Sequence, residues 1–398
     1  MSASLPRVVI KPKRARPFFA RHPWVFVTSI DRVEGEPAPG DEVAVVSSEG
    51  QFIGRGLFNH RSAIRVRLYR WDDAPIDDAF LESRLVAALA LRQETLGLTG
   101  PRSAARLVFS ESDGLSGLTV DRFDRWLAVQ FTSLALFSKQ DFFLDRLAAL
   151  TGAEGIILRG EKGIPSQEGL KVEEGVVRGT MPEGPTPIEE NGITYAVDLA
   201  TGQKTGCYLD QRDNRRAVAA YAKDRRVLDL FCYTGGFSLN ALGHGGAASA
   251  LGIDTSTPAV EAARANAVAN HARTARFEAA DVFDTLETLR SSGEKFGLVI
   301  CDPPKFARHP KALEDAVRAY LRLNRAAVDV LEPNGILATC SCSGLVDRGL
   351  FADLLGQVAE LSGRPIQILE SRGQAADHPV SASCLETEYL KCVIARVA

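Results

Sequence analysis

Cys340 and Cys342 close the apolar run in LATCSCSG (Leu337–Gly344). A cysteine at a strand exit can act as a nucleophile once its thiol is ionised. Other residue types that could do chemistry also follow apolar runs. Gly235 and Gly236 interrupt DLFCYTGGFS, Asp254 closes LGIDTSTP, Asp281 closes EAADVF and Asp302 closes VICDPPKF. Glycines at such a turn let the backbone approach a ligand and start a helix tightly. The spacing is not G-x-G-x-x-G, so a dinucleotide is disfavoured. An acid after the second strand can accept hydrogen bonds from two ribose hydroxyls, and Asp281 is placed to take an adenine amino group. Each acid alone could instead cap a helix, and Asp254, followed by Pro258, fits that role. Three acids at successive strand ends point to a nucleoside cofactor with a cationic tail. S-adenosyl-L-methionine fits, since nothing in the pattern would hold a pyrophosphate.

The elements that must position these residues follow from the hydrophobic pattern. From about residue 190, the runs RVLDLFC, ASALGID, TARFEAAD, FGLVICD and GILATCS alternate with helix-like stretches. Apolar strands separated by helices predict a doubly wound parallel sheet, which carries its ligands at the carboxyl ends of the strands. Alternation then sorts the thiols. Cys301 precedes Asp302 in one strand and points to the opposite face. Cys340 and Cys342 share a face, so parity does not choose between them; Cys342 lies nearer the carboxyl end. Cys232 falls in the glycine turn, and Cys207, Cys384 and Cys392 lie outside the strand-end cluster. Buried cysteines usually serve as small core residues.

Upstream, residues 1–74 read as short strands (WVFVTSI, DEVAVVS, QFIGRGLF, AIRVRLYR) separated by turns, a small β-barrel or sandwich. Basic and aromatic residues interleave there (Arg21, His22, Trp24, Arg65, Arg67, Tyr69), as suits RNA; core packing accounts equally for Trp24 and Tyr69. Residues 75–186 read as an α+β unit: a helix in DDAFLESRLVAALALRQETLG, a hairpin around Asp113-Gly114 and Asp124-Arg125, a second helix near Lys139–Leu150 and the strand GIILRG. GTMPEGPTPIEENG predicts a linker, and residues 187–398 form the third domain.

Composition bounds the function. The 398 residues are 45% hydrophobic and 24% charged, as in ordinary globular proteins, with no apolar run of bilayer-spanning length. MSASLPRVVIKPKRAR lacks an apolar signal core, and seven cysteines at irregular spacing argue for a reducing cytoplasm rather than a disulfide framework. There is no C-x-x-C pair and the six histidines are scattered, so no metal site is expected. Residues 1–71 carry 12 Lys/Arg against 6 Asp/Glu, whereas the whole chain is at −3. A basic segment on an acidic body suggests a polyanionic partner, or a solvated arm.

In DLFCYTGGFS, DPPKF, SCSG and GQKTGCYLDQR (Gly202–Arg212) the sequence resembles the bacterial 23S ribosomal RNA large-subunit methyltransferase I-like family of cytosine-5 methyltransferases. RHPWVF resembles the PUA RNA-binding domain that precedes them, and FSESDGLSGLTVDRF their central domain, so the likeness covers nearly the whole chain. The resemblance implies a Rossmann-like class I methyltransferase domain behind a PUA barrel and a central α+β domain, large-subunit (23S) rRNA as substrate and a homodimer. It implies that Phe231, Tyr233 and Gly235 line the methionine side, Asp254 binds ribose and Asp281 adenine. Asp302 would then sit between cofactor and target base, with Pro303 and Pro304 shaping the base pocket, and Lys204 and Arg212 would cap the site.

Carbon 5 of cytosine is a weak nucleophile, and the usual solution is a thiolate that adds to carbon 6. The family's S-C-S-G matches Ser341–Gly344 and nominates Cys342. Thr339-Cys340-Ser341 mimics the T-C-S motif of a wider class of RNA cytosine methyltransferases, which keeps Cys340 as the alternative. Two other functions fit the same chain: guanine N-methylation of rRNA, which needs no thiol, and a non-catalytic RNA-binding assembly factor, which would not bind S-adenosylmethionine.

Overall fold

The run Phe296–Cys301 is buried at every position, as an apolar strand must be when both faces of its sheet are covered. In the computed structural model, which describes residues 5–160, 167–199, 206–306 and 310–398, it sits inside a seven-stranded sheet. We label the strands of this sheet β1 (Arg226–Leu230), β2 (Ser249–Asp254), β3 (Ala275–Ala279), β4 (Phe296–Cys301), β5 (Leu331–Ser341), β6 (Ile366–Arg372) and β7 (Lys391–Val397). Their spatial order is 3-2-1-4-5-7-6. β1 to β5 run parallel, while β7 pairs antiparallel with both β5 and β6. The order reverses between β1 and β4, which opens a crevice at their carboxyl ends.

Helices α1 (Arg212–Ala219), α2 (Gly236–Gly243), α3 (Thr257–Ala269), α4 (Val282–Ser292), α5 (Leu313–Asp329) and α6 (Arg348–Ser362) accompany the sheet. Their starts follow local chemistry. Ser256 Oγ accepts from Ala259 N ahead of α3, Asp281 caps α4 and Asp347 caps α6. Leu228, Leu230, Ile253, Val299 and Leu337 meet Leu286, Leu323, Phe351 and Leu354 in one core cluster.

The chain folds into two units, each with its own core. One comprises Glu189–Ala196, Tyr208–Ala376 and Glu388–Ala398 and holds the seven-stranded sheet; the other comprises Met1–Ile188, Val197–Cys207 and Asp377–Thr387. The latter carries a six-stranded sheet in the order Trp24–Phe26, Ile64–Arg70, Phe52–Phe58, Glu42–Val46, Arg7–Ile10, Ile30–Glu34. It also carries a five-stranded sheet from Ala104–Phe109, Leu118–Phe123, Trp126–Phe131, Gly155–Leu158 and Gly175–Gly179. Against that sheet packs the helix Asp78–Ala90, capped by Asp77. The segment Asp377–Thr387, far along the chain, joins this unit through buried polar bonds. Arg92 donates to the Asp377 carbonyl at 2.7 Å, and Asp377 Oδ2 accepts from Arg106 N at 2.9 Å.

The expected linker contains a hairpin instead, Thr186–Glu190 paired with Ile193–Val197. Asn191 and Gly192 supply its two positive φ angles (53° and 73°), the signature of a tight two-residue turn. No helix among the described residues is long and apolar enough to cross a membrane.

Candidate active site

The turn from β1 into α2 is held in a costly shape. Phe231, Tyr233 and Gly235 have φ of 63°, 49° and 84°, and each non-glycine residue in that region costs of order 1–3 kcal/mol unless its surroundings enforce it. They do. Cys232 N donates to Ile253 O at 3.0 Å, Tyr233 N to Asp254 Oδ2 at 3.0 Å, and Asn266 Nδ2 to Thr234 O at 3.1 Å. Gly235 also lacks space, because a Cβ there would lie 2.8 Å from Phe277 Cζ. At Gly236 a Cβ would meet Arg215 Nε at 2.6 Å. That guanidinium grips Glu190 with two bonds of 2.6 and 2.8 Å and donates to Tyr208 O at 2.7 Å.

Asp229 lies beneath the turn. It is fully buried, and its Oδ2 accepts from Ser238 N (3.0 Å) and Ser238 Oγ (2.7 Å) while Oδ1 takes no bond. Burial pushes its carboxyl up to about 7; the Ser238 bonds oppose this and the Asp302 charge adds to it.

The strand-end acids differ in their bonding. Asp254 accepts Tyr233 N on one oxygen and Ser256 N, at 2.9 Å, on the other; Ser256, not Asp254, caps α3. Asp281 is a cap, accepting Phe283 N (2.8 Å) and Asp284 N (3.1 Å) on Oδ1. Asp302, half-buried just beyond β4, accepts Gln211 Nε2 at 2.9 Å on Oδ1. Gln211 is in turn held by Asn214 Nδ2 at 2.7 Å, and Asn214 by Arg372 Nε at 3.1 Å. Pro303 is buried and Pro304 exposed.

The cysteines separate by environment. Cys342 stands one residue past the end of β5 and is half-buried; the other six are buried. Cys340 faces Cys392 across β5 and β7, and that partner's hydrogen bond together with burial raises its thiol well above the usual range. Burial does the same for Cys301, inside the core. Beside Cys342, Lys391 opens β7 with only 4% exposure and donates to Ser343 O at 2.5 Å and Tyr389 O at 2.8 Å. Burial pulls its ammonium down to about 8, against the opposing pull of Cys342. Ser341 Oγ donates to Tyr320 OH at 3.0 Å. Tyr208 packs edge-on to Tyr233, 5.2 Å between ring centres. Its hydroxyl keeps its proton to unusually high pH because of burial and the nearby charges of Asp302, Asp210 and Cys342.

Phe231, Tyr233, Gly235, Asp254, Asp281, Asp302 and Cys342 thus all lie at carboxyl ends of strands of one sheet or in the turns that leave them. Arg212 opens α1 with a buried side chain, its Nε 3.9 Å from Asp213 Oδ1. Lys204 lies outside the described residues. Sequence reasoning missed Gln211, Asp229, Tyr208 and Lys391. Two of these had a signal, an acid inside the apolar run RVLDL and a cation opening KCVIARV, since unpaired charges rarely enter a core strand. The donor set suits an adenosyl sulfonium: carboxylates, not cations, stand at the strand ends.

A parallel sheet with this strand order, a glycine turn after β1 and acids closing β2 and β4 define a class I S-adenosylmethionine-dependent methyltransferase. The model of the S-adenosylmethionine-dependent methyltransferase family matches residues 179–361, and that of the PUA-like domain residues 8–71. The fold agrees with SMU.776, a chain assigned as a methyltransferase and crystallised with SAH (TM-score 0.85, 19% identity, 98% of this chain and 100% of that one). Over 93% of its length the chain is 43% identical to the ribosomal RNA large subunit methyltransferase I of Photobacterium profundum, covering 94% of that protein. It is 41% identical to that of Tolumonas auensis, over 98% of both chains, and 40% identical to that of Aeromonas hydrophila over the whole of both. The chain belongs to the ribosomal RNA large subunit methyltransferase I family, and its cofactor is S-adenosylmethionine.

Proposed function

We propose that this enzyme methylates carbon 5 of a cytosine in large-subunit (23S) rRNA, with Cys342 as the nucleophile and Asp302 as its partner on the base. The observation that carries this reading is the contrast among the thiols. Cys342 is half-buried at the exit of β5, beside the cationic Lys391, while Cys340 and Cys301 are sealed in apolar cores and resist ionisation. S-adenosylmethionine, when bound, supplies an electrophilic methyl group on a sulfonium. Phe231, Tyr233 and Gly235 are assigned to its methionine side, Asp254 to the ribose hydroxyls and Asp281 to the adenine amino group, with Lys204 and Arg212 closing the site. The target base must leave its stack or already lie in a loop.

Cys342 forms a carbon–sulfur bond at carbon 6, and the displaced electron pair makes carbon 5 enamine-like. Asp302, oriented by Gln211, acts as the acid on the base: its carboxyl proton passes to ring nitrogen 3 and neutralises the charge that the thiolate brings. After carbon 5 has gained the methyl group, a base takes its proton, the carbon–sulfur bond breaks so that Cys342 departs as a thiolate, and nitrogen 3 returns its proton to Asp302, restoring the aromatic ring. Within this reading residues 1–74 hold RNA, residues 75–186 connect, residues 187–398 perform the chemistry, and the working form is a homodimer.

The test uses 5-fluorocytidine-substituted rRNA fragments. The wild type is expected to form a denaturation-stable RNA–protein adduct and Cys342→Ala none, together with loss of methylation. Full methylation by Cys342→Ala would instead favour transfer to an exocyclic guanine amine, which needs no thiol.

A further inference from the structure

Two cavities of about 390 and 370 Å³ lie in the unit that contains the N-terminal residues, each within the range of small-ligand sites. They share Arg21, Tyr69, Trp71, Arg84 and Gly114 and so form one cleft. No strand-end residue of the methyltransferase sheet contributes to it.

The lining carries three arginines (Arg21, Arg70, Arg84) and three acids (Asp72, Glu111, Asp113), but the acids are already engaged. Glu111 is engaged by Arg67, Trp24 Nε1 and Ser116 Oγ at 3.2, 2.9 and 2.7 Å. Asp113 pairs with Arg92 at 2.7 Å, and Asp72 with Arg70 at 2.6 Å. Every carboxylate of the lining therefore faces a cation, Arg67 being shared between Glu111 and Glu168 (3.1 Å). Arg21 and Arg84 are exposed, and among the described residues neither makes an ion pair or a side-chain hydrogen bond.

Both are nonetheless held in place. The Arg84 guanidinium rests 5.0 Å from the centre of the Phe80 ring, and its Cδ lies against Gly114, 3.5 Å from where a Cβ would stand, an ordinary packing distance. Arg21 itself adopts φ 69°, a conformation that a long side chain takes only when its surroundings require it. Trp71, which lines both cavities with them, is half-buried, its Nε1 donating to Phe18 O at 2.8 Å, so its indole is fixed before any ligand arrives.

Two guanidiniums without ion pairs and a fixed indole lining one cleft match one chemistry: a base stacked on the ring with its phosphates met by the arginines. We infer that this cleft binds an unstacked nucleotide of the RNA substrate, at a point on the strand separate from the base that is methylated. A polymer fits better than a free nucleotide, because the exposed cations Lys11, Lys13, Arg14 and Arg16 lie in the segment that leads into Arg21 and extend the positive track.

The inference rests on the rRNA reading above, and its test separates the two. RNA binding by the full-length protein is measured by fluorescence anisotropy over a range of salt concentrations, for the wild type and Arg21→Ala/Arg84→Ala. The expected result is about tenfold weaker binding and a log–log salt slope shallower by about 1.4, about 0.7 per lost phosphate contact. S-adenosylmethionine affinity should be unchanged, which reports an intact fold. In parallel, 4-thiouridine placed along the RNA should crosslink to the Trp71 peptide at a position other than the target cytosine. Unchanged RNA affinity and slope in the double variant would overturn the cleft assignment while leaving the methyl-transfer reading intact. Displacement of RNA by cytidine 5′-monophosphate at micromolar concentration would also overturn it, in favour of a small-nucleotide site. A wild type that binds no RNA would sink both.

Discussion

Replacing Asp229 by Asn should change how stability depends on pH. The carboxyl is fully buried and raised from 3.8 to about 7 by loss of water, with one oxygen lacking a partner. A carboxyl raised in the folded state contributes stability below 3.8 and loses that contribution as pH rises through about 7. At 1.36 kcal/mol per pH unit, the gap corresponds to about 4 kcal/mol of penalty once the group is charged. Asn keeps an acceptor for Ser238 N and carries no charge at any pH, but it places an amide donor where Oδ1 now has no partner, at about 1–3 kcal/mol. Urea unfolding of both proteins from pH 5 to 8.5 measures the balance. The wild type should be equal or ahead at pH 5; Asp229→Asn should gain on it up to about pH 7 and hold a constant lead of about 2 kcal/mol above that. Parallel profiles would refute this reasoning, because they would mean that the charge of Asp229 is already compensated.

Three further substitutions probe the site. Gly236→Ala should lower stability by about 3 kcal/mol, read as a lower urea midpoint, because its methyl displaces the buried guanidinium that grips Glu190. Asp254→Ala should weaken S-adenosylmethionine binding at least tenfold in calorimetry, since it removes both a carboxylate at the end of β2 and the anchor of Tyr233 N. Lys391→Met should slow alkylation of Cys342 several-fold at pH 7. The difference should shrink as pH rises through about 8, where Lys391 loses its own charge, and a constant ratio across that range would mean that Lys391 does not tune the thiol.

Much of the catalytic sheet was legible because burial on both faces writes itself into composition. FGLVIC and GILATCS admit few other readings, and acids directly after such runs fall at strand ends by construction. The turn after β1 was legible only in part. Glycine at 235 announces a left-handed residue, but Phe231 and Tyr233 adopt the same region through bonds to Asp254, Ile253 O and Asn266, which only the assembled sheet supplies. Gln211 reaches Asp302 from outside the sheet, and no periodicity records such a contact. The joining of Asp377–Thr387 to the unit of the N-terminal residues depends on Arg92 and Arg106, far away in sequence. The Asn191-Gly192 turn, by contrast, was a readable hairpin signal that the surrounding prolines and glutamates obscured.

The unequal exposure of the thiols has a practical side. With six cysteines buried and Cys342 alone part-exposed, the native chain presents a single address to a soluble electrophile. A spectroscopic probe or an affinity tag can be attached there without first stripping the other cysteines. Oxidants should strike the same spot first, so that ageing of a purified sample would register at the β5 exit before the fold itself is touched.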